Sequence, residues 1–503
     1  MDRLSKTIRR ANTHLQKRDR LILRILSSKN RVARDFAAIS YLYNELTFNK
    51  LLSQKWLTEL FETDLSSLSK TEHHHVKRLH HHYMHHGILS SKEILDTTLA
   101  ISRCEGIWQQ AKKEGNTFQA LNELDLLLNK QREQNVYKMR HFGFNSAYEA
   151  AMNAYDPGIS IDQLEALINQ ISPHCGFYDH PQEQKPVDTN LFSLDVEIQK
   201  KLCTKLLQHL AVDLDKTTFV EGPHPACFGQ KGDVLITMDY DEKNFLYAVI
   251  STIHEGGHAL LRQNAPSELL NGPAAEINSQ ATDETFALLF ENTFSKSKGL
   301  ARFIIHTLDD MGVKPAHLSE EIIYDHLNQS GFSLIRTKAE SSNYSPHIIL
   351  RYHIARQLMD HQMSATKIPN LWHEYEQTLF ANQIERDDRR VLQDIHWYGG
   401  RIGYFPCYLT GMLASTQIYH HLCDENPDLI NSINAFEPHE LIRALKQGVF
   451  EQAYYKQNND FIKQVTGKRL SAEAFIQNYK HAKKEKEKKI CSKQGLFRKR
   501  KLF

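Results

Sequence analysis

The chain has 503 residues, of which 41% are hydrophobic and 24% charged, so it is long enough to bury a large core. Its 62 basic and 60 acidic residues leave a formal net charge of +2, which argues against a protein that binds nucleic acid over most of its surface. No apolar stretch approaches the roughly 20 residues of a membrane-spanning helix, and the amino-terminal segment lacks the apolar core of a secretion signal. Seven scattered cysteines without a CxxC pair are typical of reduced thiols, so we expect a cytoplasmic protein.

Most of the chain has the apolar periodicity of amphipathic helices, and proline and glycine are sparse, at 14 and 22 residues. The predicted helical stretches cover roughly 1–170, 190–212, 242–310, 317–330, 346–396 and 407–480. Histidines cluster between residues 73 and 86, and we interpret this segment as an exposed polar helix because no acidic pair completes a metal site there. The basic segment after residue 480 has the composition of a disordered tail.

The clearest predicted strand covers 232–238. A strand in this position, directly before the most informative helix of the chain, offers backbone pairing to an extended peptide. The sequence therefore predicts a mainly α protein with a strand beside its candidate functional helix.

That helix contains His254-Glu255-Gly256-Gly257-His258. Two histidines four residues apart lie on one helix face and can share a metal ion, and the intervening glutamate suits the general base of a metal hydrolase. Two adjacent glycines cost about 1 kcal/mol each relative to alanine inside a helix, which indicates that substrate or another backbone passes close by. The alternative is that both histidines are ordinary core residues with satisfied hydrogen bonds.

A catalytic zinc site needs a third protein ligand, and a second amphipathic helix over 278–294 carries the candidates. Glu284 and Glu291 are seven residues apart and hence on one face, so one can bind the metal while the other supports a histidine, whereas Asp283 points elsewhere. We choose Glu284 as the ligand and Glu255 as the base that takes a proton from the attacking water. Zinc suits this ligand set, and cobalt or manganese is an alternative occupant.

Three segments together resemble one known family. The segment 241–260 is similar nearly letter for letter to the metal segment of the carboxypeptidase Taq family, thermostable zinc metallocarboxypeptidases with an HExxH motif. The segment 283–292 stands where the family has His-Glu-Ser-Gln-Ser-Arg-Leu-Trp-Glu-Asn, which again makes Glu284 the third ligand. The segment 335–340 is similar to Ile-Arg-x-x-Ala-Asp and 392–397 to Gln-Asp-x-His-Trp, and the resemblance covers roughly residues 35–480.

The resemblance implies a large helical peptidase domain over 1–480, with a small sheet beside a deep active-site groove, followed by the tail over 481–503. It implies an enzyme that removes residues from peptides with a free C-terminal carboxylate, usually as a homodimer, with one metal ion per chain. It places Arg336 where the family binds the terminal carboxylate, with Arg351 as the second choice. Arginine suits this role because its planar fork donates two parallel hydrogen bonds.

Catalysis also needs donors to the oxyanion that forms during peptide hydrolysis. His396, Tyr404 and Tyr408 are the candidates, and each could instead be ordinary core packing. Gln393 and Asp394 would orient His396 or the substrate.

The chain departs from the family pattern at positions that we expect near the groove. Thr-Phe-Ala-Leu at 285–288 replaces polar residues, Asp239 stands where the family has arginine, and Tyr398 stands where it has serine. The leading prediction is a broad-specificity carboxypeptidase that removes single residues. The alternatives are a helical zinc endopeptidase or dipeptide-releasing enzyme, a degenerate member that binds peptides or a partner without turnover, and a thiol enzyme based on Cys227 near His224.

Overall fold

A computed structural model describes residues 2–28, 30–174, 191–328, 333–339, 341–380 and 384–481. The described chain is mainly helical, as the sequence predicts. Its α-helices are α1 (Asp2–Ser27), α2 (Arg31–Leu52), α3 (Lys55–Phe61), α4 (Lys70–His82), α5 (Ser91–Glu114), α6 (Thr117–Phe142), α7 (Ala147–Asn153), α8 (Ile161–Ile171), α9 (Val196–His209), α10 (Phe245–Gln263), α11 (Gln280–Phe294), α12 (Lys298–Asp310), α13 (Glu320–Leu327), α14 (Ser341–Asp360), α15 (Ile368–Leu379), α16 (Pro406–Glu425), α17 (Leu429–Asn434), α18 (His439–Ala444), α19 (Phe450–Tyr455) and α20 (Asn458–Thr466). Among the described helices, none is long and apolar enough to cross a membrane.

The sheet has three strands, β1 (Thr217–Glu221), β2 (Ala226–Gln230) and β3 (Asp233–Met238), in the order β1-β3-β2. The predicted strand over 232–238 is confirmed as β3. It runs parallel to β1 and antiparallel to β2, so both of its edges are already hydrogen-bonded. The prediction that this strand pairs with a substrate is therefore wrong, because the edge strands are β1 and β2.

Two apolar clusters hold the helices together. The larger one includes α10, α11 and α16, and α11 packs against both of the other two helices. The smaller one is built by α1 to α4, whose buried side chains include Ile8, Leu15, Phe48 and Leu79. The amino-terminal helices thus have a small core of their own. A single domain over 1–480 stays a prediction, and residues 482–503 of the predicted tail lie outside the described residues.

The histidine cluster lies on α4 and on the π-helical turn Tyr83–Gly87. Its helical conformation is confirmed, but its predicted exposure is wrong. His82 and His85 are buried; His82 donates to the Glu276 carboxylate at 2.9 Å, and His85 donates to the Asn153 side-chain oxygen at 3.0 Å. Burial lowers the pKa values of both histidines. The His82 contact attaches α4 to the segment that leads into α11, and the His85 contact attaches the π-helical turn to the end of α7.

The predicted helix over 346–396 is too long. After α15 the described residues 384–405 form turns and a 3-10 segment, Asp388–Leu392. The Asp387 carboxylate accepts from the backbone N–H of Arg389 at 3.1 Å, a local bond that competes with helix formation. This irregular segment carries Gln393, Asp394 and His396.

The two glycines of α10 have different surroundings. A Cβ atom at Gly257 would lie 2.7 Å from the Phe286 carbonyl oxygen and 2.8 Å from the Ala287 Cα atom, so the backbones of α10 and α11 touch there. At Gly256 the nearest atom would be the Leu210 Cδ1 atom, at 3.0 Å. The interpretation that another backbone passes close to the glycines is confirmed at Gly257.

We expect Gly257→Ala to destabilise the protein by about 1 to 3 kcal/mol, because the new methyl group forces two helix backbones apart. Gly256→Ala is the matched control, since its methyl group meets only the side-chain ends of Leu207 and Leu210 and the change gains up to about 1 kcal/mol of helix propensity. Urea unfolding of the metal-free proteins measures both changes. Equal stabilities of the two variants would contradict the close contact between α10 and α11.

Candidate active site

Helices α10 and α11 bring the three predicted metal ligands together. His254, His258 and Glu284 each offer one ligand atom, and these atoms lie within 4.8 Å of one another. The His254 Nε2 atom is 3.6 Å from the Glu284 Oε2 atom. Within the described residues, no other group of three or more histidine, cysteine or acidic side chains meets this spacing.

Each histidine has a carboxylate partner at its other ring nitrogen. The His254 Nδ1 atom is 2.7 Å from Glu291, as expected for a supporting carboxylate, and the His258 Nδ1 atom is 2.8 Å from Asp283. The prediction that Asp283 points elsewhere is wrong. Because α10 and α11 are in backbone contact, two adjacent residues of α11 both reach α10. Both Nε2 atoms are thereby left to bind a metal.

The side chains at this cluster fit a divalent metal ion. Glu284 is 6% exposed and its Oε2 atom has no hydrogen-bond partner among the described residues, and the same holds for the Oε2 atom of Glu255, which is 5% exposed. A buried carboxylate oxygen without a donor is costly, so a cation is the partner that the Glu284 oxygen lacks, while the Glu255 oxygen stays free to accept a proton. Two histidines and one glutamate are a known catalytic zinc set.

Burial raises the pKa of Glu255, while the neighbouring His254 and His258 oppose that shift. A glutamate with a raised pKa beside a metal-ligand cluster is suited to accept and return a proton near neutral pH. The location of Glu255 between the two histidines therefore fits its predicted role as general base.

Metal binding must compete with a proton on His254. Burial lowers the pKa of His254, but the hydrogen bond and the charge of Glu291 outweigh it and raise the pKa to about 10. Below that pH the metal-free protein holds the proton, and a metal ion has to displace it. The stabilisation of the metal-free protein by protonated His254 is complete below the unfolded-state pKa and is lost as the pH rises through about 10.

We therefore expect metal binding between about pH 7 and 9 to release close to one proton per site, and the affinity to rise with pH over that range. Calorimetric titration in buffers of different ionisation enthalpy measures the number of protons. Identical heats in all buffers would show that His254 carries no proton to displace.

A second charged cluster joins α14 to the irregular segment 384–405. The Asp394 carboxylate accepts from Arg336 Nε and from Arg351 Nε, both at 2.7 Å. Gln393 accepts from the backbone N–H of Arg336 at 2.9 Å and from Arg351 Nη2 at 3.0 Å, so Gln393 and Asp394 orient two arginines rather than His396. Arg336 also donates to the Tyr344 hydroxyl at 2.6 Å. Two arginines share one carboxylate, which leaves these side chains with a net positive charge.

The two arginines differ in burial. Arg351 is 1% exposed, and besides its bonds to Asp394 and Gln393 it donates to the carbonyl oxygen of His347 at 2.8 Å. Arg336 is 9% exposed and lies against the rings of Tyr344 and Tyr408, whereas Arg351 lies against the buried Trp372. This difference favours Arg336 over Arg351 as the residue that meets a ligand.

An aromatic wall, formed by His396, Tyr404 and Tyr408, connects the two charged clusters. The Tyr404 hydroxyl donates to the Glu284 Oε1 atom at 3.2 Å, and the Arg336 guanidinium lies 5.2 Å from the centre of the Tyr408 ring. The His396 Nε2 atom is 3.4 Å from the Tyr408 hydroxyl. Burial lowers the pKa of His396 and raises those of both tyrosines, so the tyrosines keep their hydroxyl protons and can donate.

The sequence model described as carboxypeptidase Taq (M32) metallopeptidase matches residues 3–483. The chain belongs to this family. It is 28% identical over 392 residues to carboxypeptidase 1 of Bacillus subtilis, covering 76% of this chain and 77% of that protein. It is 24% identical over 399 residues to thermostable carboxypeptidase 1 of Pyrococcus furiosus, covering the same shares of the two chains.

Solved structures share the fold of this M32 chain. The Pyrococcus furiosus carboxypeptidase structure has a TM-score of 0.86 at 22% identity, covering 96% of this chain and 98% of that one. Trypanosoma cruzi metallocarboxypeptidase 1 has a TM-score of 0.85 at 20% identity, covering 95% of this chain and 98% of that one. The predicted family, the helical fold and the classification as a metallocarboxypeptidase are confirmed.

The departures from the M32 pattern mostly lie in the core. Phe286 is fully buried and stacks on Phe450 with ring centres 5.2 Å apart, and Thr285 donates to a backbone carbonyl of its own helix. Tyr398 is 1% exposed and stacks on Trp108. The expectation that the replacements line the groove is therefore wrong for Thr285, Phe286 and Tyr398, which pack in the core. Glu340, in the family-like segment 335–340, lies outside the described residues.

The thiol alternative has no support at Cys227. This residue lies on β2, and burial raises the pKa of its thiol far above the usual value. A nucleophilic cysteine needs a lowered pKa instead.

The structure also shows two residues that contribute to the charged clusters and that the sequence analysis did not identify. Tyr344 binds Arg336, and Arg262 binds Asp283; the position of Arg262 one helical turn after His258 is the only sequence signal for it.

Proposed function

We propose that this M32 protein is a zinc-dependent carboxypeptidase that removes single C-terminal residues from peptides with broad specificity. The observation that carries the proposal is the surplus positive charge of Arg336, Arg351 and Asp394 beside a cluster of metal-ligating side chains. A substrate carboxylate neutralises that charge, and a bidentate bond to Arg336 would place the last peptide bond at a fixed distance from the cluster.

His254, His258 and Glu284 would hold one metal ion per chain. When bound, such an ion polarises the scissile carbonyl group and activates water for attack. Glu255 accepts a proton from the attacking water and returns it to the leaving amine. Tyr404, Tyr408 and His396 line the path from this cluster to Arg336. The Tyr408 hydroxyl supplies a hydrogen bond to the developing oxyanion, and the Tyr404 hydroxyl adds a second one when it turns from Glu284 to the oxyanion.

The proposal is tested with one peptide made in two forms, with a free and with an amidated C-terminus, and products followed by mass spectrometry. We expect stepwise loss of single residues from the free form only, with loss of activity after chelation and recovery after zinc is restored. Cleavage of both forms would indicate an endopeptidase, and two-residue products a dipeptide-releasing enzyme. Peptide binding without cleavage would indicate a degenerate, binding member of the family.

The proposal includes a homodimer in the cytoplasm. Helix α2 exposes Val32, Phe36, Ile39 and Tyr43 by 64% to 77% along one face, and an apolar face of this size supports association with a second copy. All five cysteines in the described residues are free, in keeping with a reducing compartment. Sedimentation at micromolar concentration tests the assembly, and a monomer there would exclude a stable dimer.

A further inference from the structure

The hydrogen bond at His258 is held in place by a second residue. Asp283, which accepts from the His258 ring, is bound at both carboxylate oxygens by Arg262, at 2.8 and 2.7 Å. Arg262 Nη1 also lies 3.1 Å from the carbonyl oxygen of His258. His258, Arg262 and Asp283 are 7%, 8% and 4% exposed, so this contact is dry and fixed on both helices.

We propose that Arg262 and Asp283 form a positioning pair that orients His258 for metal binding and thereby sets how tightly the protein retains its metal. The proposal rests on the proposed function only in that it assigns His258 as a ligand. A carboxylate at Nδ1 holds the ring by that nitrogen, so Nε2 is the nitrogen that is directed at the ligand cluster and available to a metal. Arg262 in turn fixes the carboxylate, because a bidentate arginine allows one orientation of the acid.

The two members of the pair have opposite charges, and this predicts different effects of removing each. Asp283→Asn removes the carboxylate and leaves the buried cation of Arg262 beside the metal cluster. Arg262→Gln removes the cation and leaves the bond between Asp283 and His258. If the pair positions His258, we expect the first change to weaken metal binding far more than the second.

The experiment measures the zinc dissociation constant by competition with a chromophoric chelator, together with the melting temperature of the metal-free protein. We expect Asp283→Asn to weaken zinc binding by about 10- to 100-fold and Arg262→Gln by less. The double variant should bind zinc more tightly than Asp283→Asn, since it removes the uncompensated cation. Visible spectra of cobalt-loaded proteins report whether His258 still ligates.

The matched control is Glu376→Gln, which breaks another buried arginine–carboxylate pair. Glu376 lies on α15, and its Oε1 atom is 2.9 Å from the Nε atom of Arg390. We expect it to lower the melting temperature without changing the zinc dissociation constant. Unchanged zinc binding in Asp283→Asn would overturn the proposal. The proposal would also be overturned if the zinc affinity of every variant fell in proportion to the fall in its melting temperature. A wild-type protein that binds zinc but cleaves no peptide would overturn the proposed function alone, because these measurements need no substrate.

Discussion

Glu255→Gln will lower kcat on peptides with a free C-terminus by about 100- to 10 000-fold, the range that general acid–base catalysis contributes. Glutamine has the same shape as glutamate but does not accept the proton of the attacking water. The Oε2 atom of Glu255 is buried and has no hydrogen-bond partner among the described residues, so the substitution breaks no structural contact there. Steady-state kinetics with metal-loaded protein measures the loss.

Two controls separate this chemical effect from a loss of metal or of fold. Zinc content should equal that of the wild type, because His254, His258 and Glu284 are unchanged. Glu242→Gln removes an exposed glutamate just before α10 and should leave kcat at the wild-type value. Wild-type kcat in Glu255→Gln would remove Glu255 from the reaction and require another base.

The sequence was sufficient to predict the central helix pair. The spacing of His254 and His258 specifies one face of a helix, and the seven-residue spacing of Glu284 and Glu291 specifies one face of the next. Helical geometry alone then implies that four polar side chains meet if the two helices pack. The glycine at position 257 also predicted that the two helices pack closely, because there is no room for a side chain where the backbones of α10 and α11 meet.

Contacts between distant parts of the chain could not be predicted from local patterns. Asp283 reaches His258 only because the helix backbones touch, and no periodicity encodes that distance. The histidine pattern of α4 predicts a solvent-exposed helix face, yet His82 is buried and donates to Glu276, which lies almost 200 residues later in the chain. The segment 384–405 retains amphipathic spacing but folds into turns, because the local bond of the Asp387 side chain competes with helix formation.

Arg336→Gln will remove most of the preference for a free C-terminus. Two charge-assisted hydrogen bonds to a carboxylate are worth about 3 to 6 kcal/mol, so kcat/KM on free peptides should fall by about 100- to 10 000-fold. Activity on the amidated form, already very low, should not fall further, since the amide never formed those bonds. The paired measurement is kcat/KM on both forms of one peptide.

Arg351→Gln is the informative comparison, because Arg351 shares Asp394 with Arg336 but is fully buried among protein acceptors. If Arg336 alone meets the carboxylate, this variant should lose stability, measured by urea unfolding, and still discriminate free from amidated peptide. If instead Arg351→Gln abolishes discrimination and Arg336→Gln does not, the two roles are exchanged. Loss of discrimination in both variants would mean that the two arginines act as one unit, because they share the carboxylate of Asp394. The substrate carboxylate would then bind to their combined charge rather than to a single guanidinium.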